Sequence, residues 1–574
     1  MKLFHLLLAS LLLPLSLHAQ KPCQELGDPH PADAASWRRV SAPCLGWGSI
    51  DQRYPKTAVP QLNPTIRLSA WKGERVNAQA LLVTPKPLSR VYVEASSLRS
   101  GKWVISSAQV KIYYVRYVMA DEWLDIHGHS NHHRADKSQF DSSLVADPLL
   151  PAQPMDVEGQ TVRPIWLDIK IPASAPAGKY QGTLRVNADG RVLTVPYTVS
   201  VSKRTLPEPA QWKFHLDLWQ NPYAVARYYG VPLWSEEHFR LMRPLMEQYA
   251  AAGGKVITTS IIQHPWNSQT EDPFESMIGK TLTLDGHWQY DYSVFDKWVS
   301  FMMSCGVKGQ IDCYTILPWH LRFDYYDART NCTLSRHLKP GTADYEAFLL
   351  PFLKDFAAHL KQKGWFDRTC IAMDERPMDI LTPAHQLLRK ADPDFKIEGA
   401  FNYFPKDVSD LHDISVAYEY DLLDGASVRQ RTSQGRPVTF YTCCGPQRPN
   451  TFLFSPPAES AYMGWHAAAS GYSGYLRWAY NSWPQDPLRD ARFRTWPAGD
   501  CFLVYPGGSS IRWMRLVQGI QDYEKIAILR DQLKGRKLQK LNQTVSKFRT
   551  NKFTVDNDAG RMVREAEQVM RSLE

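Results

Sequence analysis

Two neighbouring carboxylic acids, Asp374 and Glu375, are the residues of this sequence best suited to carry out chemistry. They follow the apolar run 370–373 and precede Pro377, so we expect them at the end of a β-strand, where the backbone turns. Paired carboxylic acids are the usual catalytic groups of glycoside hydrolysis, in which one of them protonates the departing oxygen. The pair therefore suggests cleavage of a glycosidic bond, although two adjacent acids alone are a weak signal and also fit a surface ion pair with Arg376.

The adjacency of the two acids narrows the mechanism. In an ordinary retaining glycosidase the acid and the nucleophile face each other across the sugar. Two residues that are neighbours in the sequence are poorly placed for this arrangement. Neighbours suit substrate-assisted catalysis, in which the 2-acetamido oxygen of the sugar attacks its own anomeric carbon. Glu375 would protonate the leaving oxygen and later activate water, while Asp374 would hold the acetamido N–H and stabilise the oxazolinium ion. Burial and the charge on Asp374 would raise the pKa of Glu375.

The elements that position these acids fall into two regions with different hydrophobic patterns. Up to about residue 205, short runs alternate apolar and polar side chains between Pro and Gly residues, as in residues 110–115 and 165–169. This pattern predicts an N-terminal β-sandwich domain over residues 20–205, with a linker at residues 203–209. Residues 206–574, in which strands and helices alternate, are predicted to form a catalytic domain with C-terminal helices.

Eight strands, each followed by a helix or a helical turn, are predicted in the second region and match a (β/α)8 barrel. The predicted strands cover residues 213–219, 255–264, 309–317, 369–374, 396–402, 414–419, 438–442 and 474–480. The predicted helices cover residues 235–252, 293–305, 344–363, 383–390, 425–434, 459–470 and 511–533. No Gly-rich phosphate loop follows the first strand, which argues against a doubly wound nucleotide-binding sheet.

The carboxyl ends of the barrel strands are where the substrate is expected to bind. Nearly all of these ends carry aromatic and hydrogen-bonding side chains, which suit stacking on a sugar ring and bonding to its hydroxyl groups. The predicted substrate-binding residues are Trp219, His264, Trp266, Trp319, His320, Asn402, Tyr403, Glu419, Tyr441, Trp478, Tyr480 and Asn481. For each of these residues, a purely structural role is the alternative to substrate binding.

Three of these residues have a more specific predicted role. Tyr441 is expected to orient the acetamido carbonyl, and Trp478 to form the floor beneath the sugar. Glu419 is expected either to bind a hydroxyl group or to pair with an arginine such as Arg477.

Composition and cysteine content bear on other kinds of partner. The net charge of +9 is spread along the 574 residues, and no basic run interleaved with aromatic residues favours nucleic acid.

No cofactor is expected. The His-rich loop 127–133 is interpreted as a polar surface loop rather than a metal site, because no carboxylate ligands accompany it at fixed spacing. Nine cysteines leave open a Cys23–Cys44 bridge and a vicinal Cys443–Cys444 disulfide.

The first residues have the pattern of an export signal. Lys2 precedes an apolar run over residues 3–17, which predicts a signal peptide over residues 1–19 with cleavage after Ala19. We therefore expect a periplasmic or extracellular protein. No later apolar run reaches about 18 residues, so no integral membrane segment is expected.

The sequence resembles glycoside hydrolase family 123 and its wider relatives. The resemblance rests on Asp374-Glu375-Arg376-Pro377 and on the stretches 474–484 and 519–524. It implies a β-sandwich followed by a (β/α)8 catalytic domain, with Asp374 and Glu375 as the catalytic pair. It also implies an exo-acting, retaining β-N-acetylgalactosaminidase that acts on a glycan or glycoconjugate by substrate-assisted catalysis. The residues alone indicate a 2-acetamido sugar, whereas the choice of N-acetylgalactosamine comes only from the resemblance.

Other functions on the same scaffold stay open at this point. One is a non-catalytic carbohydrate-binding protein, against which the intact acid pair argues. Another is a glycosidase of different specificity, such as a β-N-acetylglucosaminidase, or an enzyme that uses two distant carboxylates such as Glu375 and Glu419.

Overall fold

A computed structural model of the chain describes residues 24–574, except residues 33, 126, 128–136, 268, 403–408, 420–424 and 555. The predicted signal peptide, Cys23 and most of the His-rich loop thus lie outside the described residues, as does the predicted substrate-binding residue Tyr403.

The N-terminal region is all β, as predicted. Its strands are β1 (Cys44–Gly48), β2 (Ile66–Lys72), β3 (Arg75–Thr84), β4 (Leu88–Ala95), β5 (Leu98–Ser100), β6 (Trp103–Ile105), β7 (Val110–Asp125), β8 (Phe140–Pro151), β9 (Met155–Val157), β10 (Thr161–Lys170), β11 (Gly178–Ala188) and β12 (Arg191–Thr205). One sheet has the order β1-β3-β10-β7-β8, and the other has the order β2-β12-β11-β4-β9 with β5 and β6 beside β11. The alternating side chains give each sheet an apolar face, and the two faces share one core that buries Ile165 and Leu184. The linker was predicted too early, because β12 continues to Thr205.

The region that follows forms a parallel barrel with inserted strands. Its strands are β13 (His215–Leu218), β14 (Val256–Ser260), β15 (Gly279–Leu282), β16 (Trp288–Asp291), β17 (Gln310–Tyr314), β18 (Arg322–Asp327), β19 (Cys332–His337), β20 (Thr369–Met373), β21 (Lys396–Phe401), β22 (Asp413–Ala417), β23 (Val438–Tyr441), β24 (Gly474–Arg477) and β25 (Ser509–Ser510). The barrel strands follow the order β13-β24-β23-β22-β21-β20-β17-β14, and a bridge from Leu216 to Gly254 nearly closes the ring. Each barrel strand overlaps a predicted one, so the (β/α)8 prediction is confirmed.

Helices surround the barrel and follow it in the chain. They are α1 (Pro222–Tyr229), α2 (Glu236–Ala250), α3 (Ser293–Ser304), α4 (Ala343–Lys363), α5 (Met378–Ala391), α6 (Gly425–Ser433), α7 (Pro457–Ser470), α8 (Ile511–Gln532), α9 (Gly535–Ser546) and α10 (Ala559–Ser572). Short 3-10 helices cover Ala34–Arg39, Ser107–Gln109, Lys137–Gln139, Pro209–Gln211 and Phe366–Arg368. Within the described ranges, none of the helices combines the length and the apolar character needed to cross a membrane.

The helices differ from the prediction in a few places. Helix α5 was predicted to begin at Pro383, but it begins at Met378, and this proline lies inside the helix. The helices α1, α9 and α10 were not predicted, and neither was the inserted sheet β16-β15-β18-β19.

The barrel and the sandwich are also joined through the long segment between β24 and α8. Within this segment β25 pairs with β8 of the sandwich. The backbone N–H of Ala498 donates to the carboxylate of Asp121 in β7 at 2.9 Å. Next to it, Arg512 of α8 and Asp147 of β8 form a fully buried ion pair at 2.9 Å. The segment is therefore held by the sandwich on one side and by the barrel on the other.

Gly519 lies where α7 and α8 cross most closely. A β-carbon at Gly519 would collide with the carbonyl oxygen of Ala461, and one at Gly464 would collide with the carbonyl oxygen of Gly519. This crossing therefore requires residues without side chains at these two positions.

We expect Gly519→Ala to lower the melting temperature by several degrees, although alanine is the better helix former by about 1 kcal/mol. The added methyl group must push α8 away from the backbone of α7, and overpacking of this kind costs about 1–3 kcal/mol. Thermal unfolding followed by circular dichroism measures the change. Gly27→Ala is the control, because a β-carbon there meets nothing within 4 Å. An unchanged or higher melting temperature for Gly519→Ala would contradict the close crossing.

Candidate active site

A cavity of 260 Å³ opens at the carboxyl ends of the barrel strands. Its wall combines two acids from the end of β20 with aromatic and polar side chains from the other strand ends. The residues that line it are Trp219, Gln269, Trp319, Asp374, Glu375, Ala400, Tyr441, Cys443, Cys444, Leu476, Trp478, Trp496 and Asp500. A larger cleft of 480 Å³ lies between the sandwich and α10, but Asp51 and Glu74 in its wall are paired with Arg515 and Lys525. The smaller cavity is therefore the better candidate for chemistry.

Asp374 follows β20 at the point where the buried apolar run of that strand ends. The indole Nε1–H of Trp319 donates to its Oδ2 at 2.9 Å, and the backbone N–H of Glu375 donates to its Oδ1 at 2.9 Å. Each carboxylate oxygen therefore has a donor. The guanidinium of Arg376 lies over the ring of Trp319, 5.1 Å from its centroid, and donates to the Trp319 carbonyl at 3.2 Å. These contacts hold the indole against Asp374.

Glu375 is held by residues from two other strands. The hydroxyl of Tyr441, the last residue of β23, donates to Glu375 Oε1. The side-chain amide of Asn402, which follows β21, donates to Glu375 Oε2 at 3.3 Å. The barrel thus brings three strand ends together around one carboxyl group.

The surroundings of the two acids raise the pKa of both. Burial raises the pKa of Asp374, and the Trp319 donor, the Glu375 N–H and the charge of Arg376 oppose this shift without cancelling it. Burial also raises the pKa of Glu375; the charge of Asp374 adds to the shift, and the Tyr441 donor opposes it. Both acids accept two hydrogen bonds, but only Asp374 also has the charge of Arg376 acting on its carboxylate, so Glu375 is the acid that we expect to carry a proton.

The opposite wall of the cavity contains two tryptophans and a buried ion pair. The rings of Trp478 and Trp496 meet edge to face, with their centroids 5.9 Å apart. Asp500 Oδ1 accepts hydrogen bonds from Trp478 Nε1 at 3.1 Å and from Arg477 at 2.8 Å, and Arg477 and Asp500 are both fully buried. Arg477 therefore pairs with Asp500, so the predicted alternative of a pair between Arg477 and Glu419 is wrong.

Several predicted site residues meet in or around this cavity. Trp219, Trp319, Tyr441 and Trp478 line it together with the two acids. Asn402 is exposed and reaches the cavity through its bond to Glu375. Trp266 stacks on Trp219, with ring centroids 4.7 Å apart, and supports that ring from behind.

Other predicted site residues do not line the cavity. His264 is half-buried on the loop after β14, while His320 and Glu419 are exposed. Tyr480 is buried, and its hydroxyl donates to the carbonyl of Leu245 at 3.0 Å. Asn481 is also buried, and its side chain binds the backbone of Asn221 through two hydrogen bonds of 2.8 and 2.9 Å. The strand was predicted to reach residue 480, but β24 ends at Arg477, so the residues after it turn into the protein.

Sequence reasoning missed part of the cavity wall. Trp496 and Asp500 lie in the long segment between β24 and α8, which has no periodic pattern from which a position could be predicted. Gln269 lies on the loop after β14, and its carbonyl accepts a hydrogen bond from Trp496 Nε1 at 3.0 Å. The only signal in the sequence was the local density of tryptophan.

The structure also bears on the metal and disulfide predictions. In the part of the chain that the structure describes, no group of three or more His, Cys, Asp or Glu residues could hold a metal ion. Cys443 and Cys444 are unbridged, with their sulfur atoms 3.8 Å apart. Cys44 forms no disulfide with any residue that the structure describes, and its predicted partner Cys23 lies outside that part of the chain.

A (β/α)8 barrel with an acid pair at the end of its fourth strand, inside an aromatic cavity, defines the class of the protein as a glycoside hydrolase. Comparison with protein families gives the particular family. The model of the glycoside hydrolase 123 catalytic domain matches residues 219–529, and that of the glycoside hydrolase 123 N-terminal domain matches residues 47–188. The chain therefore belongs to glycoside hydrolase family 123, and the resemblance seen in the sequence is confirmed.

Solved structures agree with this assignment. A family 123 glycoside hydrolase from Clostridium perfringens, described in connection with glycolipid glycan hydrolysis, is 27% identical. The match covers 93% of this chain and 98% of that one, with a TM-score of 0.83. A β-glucuronidase from Parabacteroides merdae is 8% identical over 84% of this chain and 54% of its own, and its TM-score of 0.31 supports no inference. A search of curated proteins found no significant match.

Proposed function

We propose that this glycoside hydrolase is an exported, exo-acting, retaining enzyme that removes terminal β-linked N-acetylgalactosamine, with the 2-acetamido group of the sugar as the nucleophile. The observation that carries the proposal is the position of Asp374 and Glu375, which are adjacent residues at one strand end and line the same cavity. Two acids placed in this way approach the sugar from the same side, so the nucleophile must come from elsewhere.

Glu375 is the proposed general acid and base. Its carboxyl group keeps a proton to higher pH than an ordinary glutamic acid, because burial and the charge of Asp374 raise its pKa. It donates this proton to the glycosidic oxygen as the bond to the anomeric carbon breaks. It then removes a proton from the water that opens the oxazolinium ion, so the configuration at the anomeric carbon is retained.

Asp374 is the proposed partner of the acetamido group. In its carboxylate form it accepts a hydrogen bond from the acetamido N–H and stabilises the positive charge that develops on the oxazolinium ring. The fixed donors Trp319 Nε1 and Glu375 N–H support this form, and they hold the carboxylate in one orientation before the substrate arrives.

The shape of the cavity supports exo action. Its volume of 260 Å³ suits one sugar ring, and Trp219, Trp478 and Trp496 offer aromatic faces and edges for stacking. The Tyr441 hydroxyl donates to Glu375, and it is proposed to turn to the acetamido carbonyl when the sugar binds.

A mechanism with two distant carboxylates has less support. Glu419, the partner considered from the sequence, is exposed and does not line the cavity. Asp500 is the other acid in the cavity wall, but its Oδ1 accepts hydrogen bonds from both Arg477 and Trp478. Such a carboxylate is better suited to support the wall or to bind a hydroxyl group than to attack carbon.

A panel of aryl glycosides tests the proposed function. We expect the purified protein to cleave aryl β-N-acetylgalactosaminide, to cleave aryl β-N-acetylglucosaminide more slowly or not at all, and to leave aryl β-galactoside intact. Product configuration, followed by nuclear magnetic resonance, should show retention. Cleavage of the galactoside would rule out the substrate-assisted mechanism. Faster cleavage of the glucosaminide would change the assigned sugar and leave the mechanism in place.

The natural substrate is proposed to be a glycolipid or another glycoconjugate that ends in this sugar. The glycolipid glycan hydrolysis described for the Clostridium perfringens enzyme supports this choice. The export pattern of the first residues fits a substrate outside the cytoplasm.

Tyr441→Phe is expected to lower kcat/KM for aryl β-N-acetylgalactosaminide by about 10²-fold, because the donor that orients the acetamido group is lost. The Tyr441 hydrogen bond lowers the pKa of Glu375, so its loss raises that pKa in the free enzyme. Glu375 acts in its protonated form, so the alkaline limb of the kcat/KM profile should move to higher pH.

The control for this variant is Tyr180→Phe. Tyr180 is a buried tyrosine of the sandwich whose hydroxyl donates to the carbonyl of Pro176 at 2.9 Å, so its loss should leave the pH profile unchanged. An alkaline limb that stays in place or moves to lower pH in Tyr441→Phe would separate Tyr441 from the catalytic acid.

A further inference from the structure

Cys443 and Cys444 lie in the wall of the active-site cavity, in the turn that follows β23. Both side chains are partly exposed, whereas Cys305, Cys313 and Cys370 are buried. The two sulfur atoms are 3.8 Å apart, which is van der Waals contact. The proposed hydrolysis uses neither thiol, so the catalytic mechanism leaves this pair without a role.

The backbone of the turn holds the two thiols toward the cavity. The N–H of Cys443 donates to the carbonyl of Gly445 at 3.0 Å. The side chain of Asn450, which is fully buried, donates to the carbonyl oxygens of Cys443 and Pro446 at 3.0 and 2.7 Å. The turn is therefore fixed from inside the protein, while both cysteines line the cavity and are partly exposed.

The pair also lies within the electrostatic field of the site. The hydrogen-bonding contact with Cys443 and burial raise the pKa of the Cys444 thiol, and the nearby carboxylate of Asp500 adds to this shift. Tyr441, whose hydroxyl binds Glu375, is separated from Cys443 by one residue. Oxidation or reduction of these two cysteines therefore alters the wall of the cavity in which the sugar is proposed to bind.

We propose that Cys443 and Cys444 form a redox-modifiable dithiol that controls sugar binding, and that the bridged form binds the sugar more tightly. The oxidant is a small-molecule or protein disulfide. The thiolate of Cys443 attacks a sulfur of that disulfide, forms a mixed disulfide and releases one thiol. The second cysteine then attacks the sulfur of the first and releases the other thiol. Two S–H bonds give one S–S bond, and two protons and two electrons pass to the external disulfide, which becomes two thiols.

Bridge formation changes the cavity wall in a defined way. An S–S bond is about 2.05 Å long, so sulfur atoms now 3.8 Å apart must approach by about 1.8 Å, and at least one side chain must turn. Bridging also removes the rotation of two side chains that the bound sugar would otherwise have to fix. The cavity wall with the disulfide is therefore more preorganised for the sugar than the wall with two thiols. We expect the disulfide to strengthen substrate binding in the ground state, and so to lower KM while changing kcat little.

The test compares the whole mature protein after treatment with oxidised glutathione and after treatment with dithiothreitol. Because the kinetic part rests on the proposed function, the first measurement is independent of activity. Mass spectrometry of the peptide that contains residues 443 and 444 should show the loss of two hydrogen atoms after oxidation. We expect reduction to raise KM for aryl β-N-acetylgalactosaminide at least threefold, with kcat changed less than twofold. Cys443→Ser and Cys444→Ser should each abolish the bridge and give a KM that no longer depends on redox state.

Cys332→Ser is the matched control. Cys332 is an exposed thiol of β19 outside the cavity, so this variant should keep both the bridge and the redox dependence of KM. Failure of the bridge to form in the wild type would overturn the proposal, and so would a bridge that leaves KM unchanged. If the bridge forms but no aryl glycoside is cleaved, the proposed function fails instead. Calorimetric titration with free N-acetylgalactosamine then replaces KM, and equal affinity in both redox states would overturn the dithiol proposal.

Discussion

Glu375→Gln is expected to lower kcat/KM by about 10²–10⁴-fold for an aryl β-N-acetylgalactosaminide with a poor leaving group. Glutamine keeps the size of the side chain, and its amide oxygen can still accept the hydrogen bond from Tyr441, but it has no acidic proton for the glycosidic oxygen. A dinitrophenyl leaving group departs without protonation, so its kcat/KM should fall much less. Steady-state kinetics on a series of aryl glycosides measures this dependence on the leaving group.

Glu419→Gln is the control for this variant. Glu419 is exposed at the end of the neighbouring strand β22 and does not line the cavity, so we expect its kcat/KM to stay within about twofold of the wild type. If Glu419→Gln lost as much activity as Glu375→Gln, the mechanism with two distant carboxylates would be favoured. An equal loss on all leaving groups in Glu375→Gln would remove the general-acid role.

Asp374→Asn is expected to lower kcat by about 10²–10³-fold with a smaller effect on KM. The neutral amide can still accept the hydrogen bond from Trp319, but it cannot balance the positive charge of an oxazolinium ion. The charge of Asp374 raises the pKa of Glu375, so its removal lowers that pKa. The alkaline limb of the kcat/KM profile should therefore move to lower pH, opposite to the shift expected for Tyr441→Phe.

The control for this variant is Asp344→Asn, which removes an exposed carboxylate from the first turn of α4, outside the cavity. We expect its kcat and pH profile to match those of the wild type. Circular dichroism and melting temperature should show that both variants fold. A folded Asp374→Asn enzyme with unchanged kcat would exclude Asp374 from the mechanism.

The barrel was predictable from the sequence because its strands are short runs that are buried on both faces. Val256–Ser260 and Thr369–Met373 are buried throughout, and each is preceded by a helix that ends near it. The acid pair was predictable for the same reason, because it directly follows the second of these runs. A residue next to a clear strand end can be assigned to the rim of the barrel without any knowledge of its distant contacts.

The far wall of the cavity was not predictable, because long-range contacts determine where it lies. Trp496 and Asp500 lie about twenty residues after β24, in a segment without regular structure over most of its length. Their positions depend on Arg477, on the loop that contains Gln269 and on hydrogen bonds to the sandwich. Contacts such as that between Asp121 and Ala498 join residues hundreds of positions apart, and they leave no local pattern.

The pairing of β25 with β8 limits how the domains of this enzyme can be exchanged, both in evolution and in protein engineering. The sandwich fixes the segment that contains Trp496 and Asp500, and these residues form part of the cavity wall. The sandwich therefore helps to determine the shape of the catalytic pocket. A barrel grafted onto a foreign β-domain would lose that support, and the buried Arg512 would lose the carboxylate of Asp147 that balances its charge. The two domains should therefore be exchanged between homologous enzymes only together. A chimera joined at the domain boundary should fold and keep its pocket only if strands β7 and β8 come from a protein in which they match the segment between β24 and α8.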